Sequence, residues 1–401
     1  MFVKEVRPRL IKNSRGEKTF EVELTTYSGK FFCSAPSGKS RGKNEVEPFN
    51  YRGIGASFKL LKVFCRKLEG KNIMIKNLGE IKQLVKLIKI FESRHGRLGR
   101  SATYALEGVF LKAVAKDNHV PLWKFVFESV NKTREVKMPR PVGNCVGGGL
   151  HSKERWGKKP DFQEFLLIPK EKTFCKAVSV NVRAYHYVSS VLKTSKANDE
   201  GALKTSKTNE EVLEVLDDVS QRFGLRIGLD VAASSFFHKG YYMYRNKNLI
   251  RDRSDQSDYI SRLIKKFGLF YVEDGMYETD YSGFKEILSG IKVGKTLIVG
   301  DDLTTTNIRQ LRRAYSAGSI NAVIIKPNQI GSILDVMEVV MFCQKNGIKM
   351  VFSHRSGETM DDILADYCVG FGGDFIKCGI MGRERLIKLR RVMEIERALS
   401  L

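Results

Sequence analysis

The chain has 401 residues, of which 42% are hydrophobic and 10% aromatic, a balance that excludes a disordered or fibrous polymer and supplies more core than one ordinary domain organises. Its 69 Lys+Arg against 45 Asp+Glu give a net charge of +24, which permits a polyanionic partner without requiring one. The cations are spread along the chain and no run alternates them with aromatics, so the plainer reading is a lysine-rich solvated surface.

Met1–Leu10 carries Lys4, Glu5, Arg7 and Arg9 with no apolar run behind them, so no secretory leader is expected. No uncharged apolar stretch approaches the ~20 residues of a membrane span. Phe20 to Phe32 alternates as strand, turn at Ser28-Gly29, strand. From Ile54 to about Val130 the pattern is helical: Leu84, Leu87, Ile88 and Phe91 recur at helix spacing between lysines. The character changes near Pro139 and Pro141, which predicts an N-terminal α+β domain over 1–136 and a catalytic domain over 137–401. Lys193 to Glu211 is polar, repeats Lys-Thr-Ser-Lys and reads as a mobile loop.

From there the chain keeps a plain rhythm. Short apolar runs end on Asp230, Glu273, Asp301, Lys326, His354 and Lys377, spaced 43, 28, 25, 28 and 23 residues apart. Helical stretches such as Ser332 to Asn346 lie between them. This is the pattern of successive parallel βαβ units. Pro141–Cys145 and Phe165–Pro169 complete a possible eight-stranded barrel, whose active site lies at the C-terminal strand ends. An open doubly wound sheet would put the same groups on one edge, so the rhythm alone does not fix closure.

Asp230, Glu273 and Asp301 together form a hard, anionic oxygen cluster suited to magnesium. Any one of them alone reads better as a helix cap or a lysine partner. Lys326 and Lys377 share the rim, and a lysine beside positive charge gives up its proton more easily and can serve as a base. A proton beside a carboxylate is a weak acid, and its removal needs the charge stabilisation that metal ions supply. The six histidines at 95, 119, 151, 186, 238 and 354 include no pair at helical zinc spacing. The seven cysteines are scattered, with no Cys-x-x-Cys pair, as in a reducing compartment, which predicts a cytoplasmic protein.

With those residues in view, the chain resembles the enolase family through Gly-Asp-Asp-Leu-Thr-Thr-Thr-Asn (300–307), Lys-Pro-Asn-Gln-Ile-Gly (326–331) and Ser-His-Arg-Ser-Gly-Glu-Thr (353–359). The likeness runs from Asn13-Ser-Arg-Gly16 to beyond Glu384-Arg-Leu386. It implies an α/β fold, a modified TIM (β/α)8 barrel with an N-terminal α+β cap. It also implies reversible dehydration of 2-phosphoglycerate to phosphoenolpyruvate with two Mg2+ per active site. By resemblance, Asp230, Glu273 and Asp301 are ligands of the first magnesium and Ser40 joins the second. Lys326 is the base, and Glu200 with Glu164 the acid. Lys377 meets the substrate carboxylate and Arg355 and Ser356 its phosphate. Gln163 and His151 join the substrate contacts, and His354 is the second histidine. The family's members are commonly homodimers; the positions of an intersubunit glutamate–arginine pair correspond to Glu21 and Glu394 here.

The chain departs from the family in its loop, which reads Ser37-Gly-Lys39-Ser-Arg41 instead of Ser-Gly-Ala-Ser-Thr, and in Asp199-Glu-Gly-Ala202, where the family has Asp-Glu-Gly-Gly. The stretch between His151 and Glu164 is longer than usual. Three other readings compete. Ser37-Gly38-Lys39-Ser40 suggests a P-loop, but Cys33 stands where its first glycine belongs. A relative acting on another acid, or a non-catalytic protein on the same fold, also fits the architecture. The complete set of rim carboxylates and lysines speaks against the last.

Overall fold

The computed structural model describes residues 1–39, 42, 45–131, 135–152, 158–291 and 294–400. It opens with an antiparallel meander of β1 (Glu5–Lys12), β2 (Lys18–Thr25) and β3 (Lys30–Ser34). The second and third are the strands expected around Ser28-Gly29. The first went unrecognised because charge interrupts its alternation: Val6 is buried, whereas Arg7, Arg9 and Leu10 face outward.

Four helices follow, Ile54–Leu68, Lys82–His95, Arg100–Asp117 and Leu122–Val130. The second buries Leu84, Ile88 and Phe91, the stripe legible in the sequence. The third is buried on nearly every side, because it is wedged between the meander and the barrel.

The remaining elements build a closed barrel of eight strands: Arg140–Gly147, Glu164–Pro169, Leu225–Asp230, Tyr271–Glu273, Leu297–Gly300, Ala322–Ile325, Lys349–Ser353 and Phe375–Gly379. Closure is direct, since Phe375 pairs with Arg140 and the register runs on to Gly379 with Asn144. Val142, Leu166, Ile168, Tyr271, Val299, Ile324 and Val351 fill the interior, each fully buried side chain contributing about 1.5–3 kcal/mol.

One strand breaks the parallel rhythm. Glu164–Pro169 runs antiparallel to both of its neighbours. Its connection from the first barrel strand contains no crossover helix among the described residues, only the short turn Gly149–His151, and parallel pairing needs a crossover. The reversal puts the beginning of this strand, Glu164, beside the end of another, Asp230.

The Lys193–Glu211 segment is largely loop, as expected, apart from one short strand and the start of a helix. Leu203 and Lys204 pair with Val146 and Gly147. A capping box between Thr208 and Glu211 then starts the helix Asn209–Phe223.

Candidate active site

The strand ends converge as the rhythm predicted. Lys377 is buried at the end of the last strand, and its Nζ lies 2.8 Å from Asp230 Oδ2, 2.9 Å from Glu273 Oε1 and 3.2 Å from Glu164 Oε2. Burial alone would push this ammonium's pKa down. Asp230, Glu164 and Glu273 outweigh it and hold the pKa well above the ordinary lysine value. One cation against three carboxylates leaves an excess of negative charge. Consistent with that excess, burial and the neighbouring carboxylates push the Glu273 pKa well up.

Lys326 faces them from its strand end and is ion-paired to Asp301. Burial lowers its pKa and Asp301 raises it, with a net rise; Arg355 and Lys377 oppose Asp301. The sequence argument stressed the cationic neighbours, but the nearest charge is the Asp301 carboxylate, and it wins.

A second group sits on the other side of Lys377. His151 Nδ1 lies 3.2 Å from both Glu164 Oε1 and Glu200 Oε2, at ion-pair distance but without hydrogen-bond alignment. Burial disfavours its charge, yet the two carboxylates push its pKa up to about 10. His354 is 3.8 Å from Glu200, and burial with Arg385 nearby holds its pKa well below the usual value. The two histidines therefore differ: Glu164 and Glu200 favour the charged form of His151, whereas burial and Arg385 disfavour that of His354. Glu200 is fixed from below by its own loop, where Asn198 Oδ1 accepts from the Glu200 and Ala202 amides at 2.9 and 3.0 Å. Gly201 has φ +81, and a Cβ there would meet the Met381 carbonyl at 2.3 Å. Asn144 Nδ2 donates to Glu200 Oε2 at 3.2 Å, and Gln163 Nε2 donates to Asp230 Oδ2 at 3.3 Å.

Arg355 and Ser356 follow the next strand and line the same cleft. The Arg355 guanidinium is buried against Glu45 at 3.3 Å and Asn328 Oδ1 at 3.3 Å. From the cap, Ser37 forms an antiparallel bridge with Gly357. Gly38 approaches so closely that a Cβ would stand 1.8 Å from the guanidinium. Lys39 lines the cleft and donates to the Leu150 carbonyl at 2.5 Å. Ser40 and Arg41 lie outside the described residues.

Three acids were missed by the sequence argument. Asp274 and Asp302 directly follow Glu273 and Asp301, and the doubled acids were the available signal. Asp274 adopts φ 45, a left-handed turn that costs about 1–3 kcal/mol outside glycine. That turn aims its carboxylate at the Asp301 and Asp302 amides, at 3.0 and 2.7 Å. Glu45 had no motif to mark it.

The donor set suits a hard divalent cation. Asp274, Asp301 and Asp302 offer oxygens within 4.8 Å of one another. Asp301 Oδ1 is buried with no hydrogen-bond partner among the described residues. Asp230 and Glu273 add further carboxylates from the adjacent strands. These are oxygen ligands of the kind magnesium selects.

Comparison with known proteins points the same way. Residues 135–401 match the family described as "Enolase, C-terminal TIM barrel domain". The protein named Enolase from Thermoplasma acidophilum is 34% identical, over 99% of this chain and 99% of its own length. The protein of that name from Picrophilus torridus is also 34% identical, again over 99% of each chain. The one from Methanothermobacter thermautotrophicus is 33% identical over 98% of this chain and 96% of its own.

Proposed function

This chain belongs to the enolase family, and from that membership and the geometry of the cleft we propose how its residues divide the work. The reaction is the magnesium-dependent, reversible dehydration of 2-phosphoglycerate to phosphoenolpyruvate by a hydro-lyase. One observation carries the division of roles: Lys326 and Lys377 line one cleft with Asp230 and Asp301, Lys377 also meets Glu273, and the Glu164–His151–Glu200 group lies beside them.

Arg355 and Ser356 take the substrate phosphate, a guanidinium being suited to such an anion. Lys377 takes the carboxylate, with Gln163 and His151 completing the contacts. Asp230, Glu273 and Asp301 would hold the first magnesium, and Ser40 would contribute to the second. A magnesium ion held there would supply stabilisation for the negative charge on the substrate carboxylate when the C2 proton leaves. Against Asp301 alone Lys326 keeps its proton. With Asp301 given over to metal it would lose that partner, reach its neutral form and accept the C2 proton, the C–H electron pair passing into an enolate. The proton carried by His151, which lies between Glu164 and Glu200, then goes to the C3 hydroxyl through Glu200. The C3–O bond breaks, the C2–C3 double bond closes and water departs. Neutral His354 lines this side of the cleft without adding charge.

The same reading makes the protein a cytoplasmic homodimer, divided at 136/137 into cap and barrel. None of the helices among the described residues is long and apolar enough to cross a membrane. Glu394 lies 3.3 Å from Arg391 of its own chain, so no Glu21–Glu394 attraction is called on. Exposed ion pairs contribute only ~0–1 kcal/mol, and a dimer survives the loss of one. Sedimentation should give a dimer at micromolar concentration; a monomer alone would contradict it.

The activity is tested by following phosphoenolpyruvate formation from 2-phosphoglycerate with magnesium and with chelator. Formation is expected only with magnesium. An equal rate in chelator, or none in either, would overturn the assignment.

A further inference from the structure

At the opposite end of the barrel, where strands Leu225–Asp230, Tyr271–Glu273 and Leu297–Gly300 begin, lies a groove of about 790 Å3. Arg226 precedes Asp230 by four strand residues, which separates the groove from the catalytic rim by about 13 Å. Lys170, Arg226, Lys265 and Lys295 line it, and no carboxylate does among the described residues. Leu225, Phe267 and Leu269 form a buried apolar floor.

One of these cations is poorly explained by folding. Lys265 lies in the last turn of helix Arg253–Phe267, where the helix dipole favours a positive charge. Lys170 and Lys295 are exposed to solvent, which leaves half-buried Arg226 as the cation that folding does not explain. Arg226 rests on the Phe270 ring at 4.4 Å, which is a cation–π contact and not neutralisation. Among the described residues, none of the four side chains pairs with a carboxylate; Lys170, Lys265 and Lys295 are exposed, and Arg226 is half-buried. Burial and the nearby Arg140 both disfavour the Arg226 charge. A half-buried guanidinium beside another, over an apolar floor, is matched by a ligand that brings its own anion.

We propose that this groove binds a nucleoside polyphosphate: its phosphates meet Arg226 and the lysines, and its base lies over the floor of Leu225, Phe267 and Leu269. Guanidinium forks match phosphate oxygens. The volume falls within the range of small-molecule sites, roughly 300–1,000 Å3. The apolar floor calls for a flat organic body that inorganic phosphate lacks. The chain's +24 charge raises the local concentration of any such anion.

The test is calorimetric titration of Mg-ATP into enzyme saturated with magnesium and 2-phosphoglycerate, so that the active site is filled. One binding event is expected. Arg226→Glu should weaken it by at least about tenfold, the loss of a charge-assisted contact, with kcat and KM for 2-phosphoglycerate unchanged. Lys295→Glu, at an exposed position, should weaken it too and guards against a folding defect mimicking the result. Tripolyphosphate and oligothymidylate serve as comparison probes and should bind more weakly than ATP. No heat in the saturated enzyme, an unaltered affinity in both variants, or equal binding of either comparison probe would overturn the proposal.

Discussion

The Glu45 carboxylate, from the cap, lies 3.3 Å from the Arg355 guanidinium of the barrel and is also ion-paired to Arg100 at 2.5 Å. The side chains of all three are at most 4% exposed. One buried carboxylate thus serves two buried guanidiniums across 310 residues of sequence. Its pKa stays below the usual glutamate value: burial would raise it, but Arg355 and Arg100 prevail.

Removing that charge leaves two guanidiniums without their shared partner. Glu45→Gln should therefore destabilise the protein by about 3–5 kcal/mol, the usual cost of breaking a buried ion pair. A phosphorylated substrate supplies Arg355 with a replacement anion. Substrate should then raise the melting temperature more in the variant than in the wild type. Equal substrate-induced shifts would mean that Glu45 and the substrate phosphate do not share Arg355.

Glu107 gives a pH dependence. On the buried helix Arg100–Asp117, its Oε2 accepts from the Ile333 amide at 2.7 Å, while Oε1 has no hydrogen-bond partner among the described residues. Burial pushes its pKa up to about 8 from 4.5. The folded state then holds this proton more tightly than the unfolded one. The stability this group contributes is complete below about 4.5 and is lost as the pH rises toward about 8. Glu107→Gln keeps an uncharged side chain at every pH, so its stability relative to wild type should climb across that window. Denaturant melts at several pH values check this; a difference that does not vary with pH would contradict it.

Lys39 lines the catalytic cleft, its ammonium held by the Leu150 carbonyl. It adds a positive charge where divalent cations must enter, and in a partly dry cleft like charges repel more than in water. Lys39→Ala should need less magnesium for half-maximal rate. Superimposable rate curves against magnesium would remove Lys39 from metal capture.

The barrel was readable because buried parallel strands are apolar runs whose terminal residues converge at one end. Asp230, Glu273, Asp301, Lys326, His354 and Lys377 all announced themselves in this way. The antiparallel strand was harder: from composition, Glu164–Pro169 looks like any other buried run, and its direction depends on the missing crossover. Glu164 thus enters the site from a strand's start, which periodicity alone cannot reveal. Glu45 and Asn144 contribute through tertiary contacts with partners 310 and 56 residues away, a relation with no local signal. In the Lys193–Glu211 segment the polar repeat concealed the capping box of Thr208 and Glu211.

On the proposed division of roles, Lys326 removes the C2 proton of 2-phosphoglycerate. The direct measurement is exchange of that proton with solvent deuterium, read by NMR, in wild type and in Lys326→Ala of matched circular dichroism and melting behaviour. Loss of a positioned base should slow exchange by about 10²–10⁴-fold. Exchange at the wild-type rate in a folded Lys326→Ala protein would contradict the account.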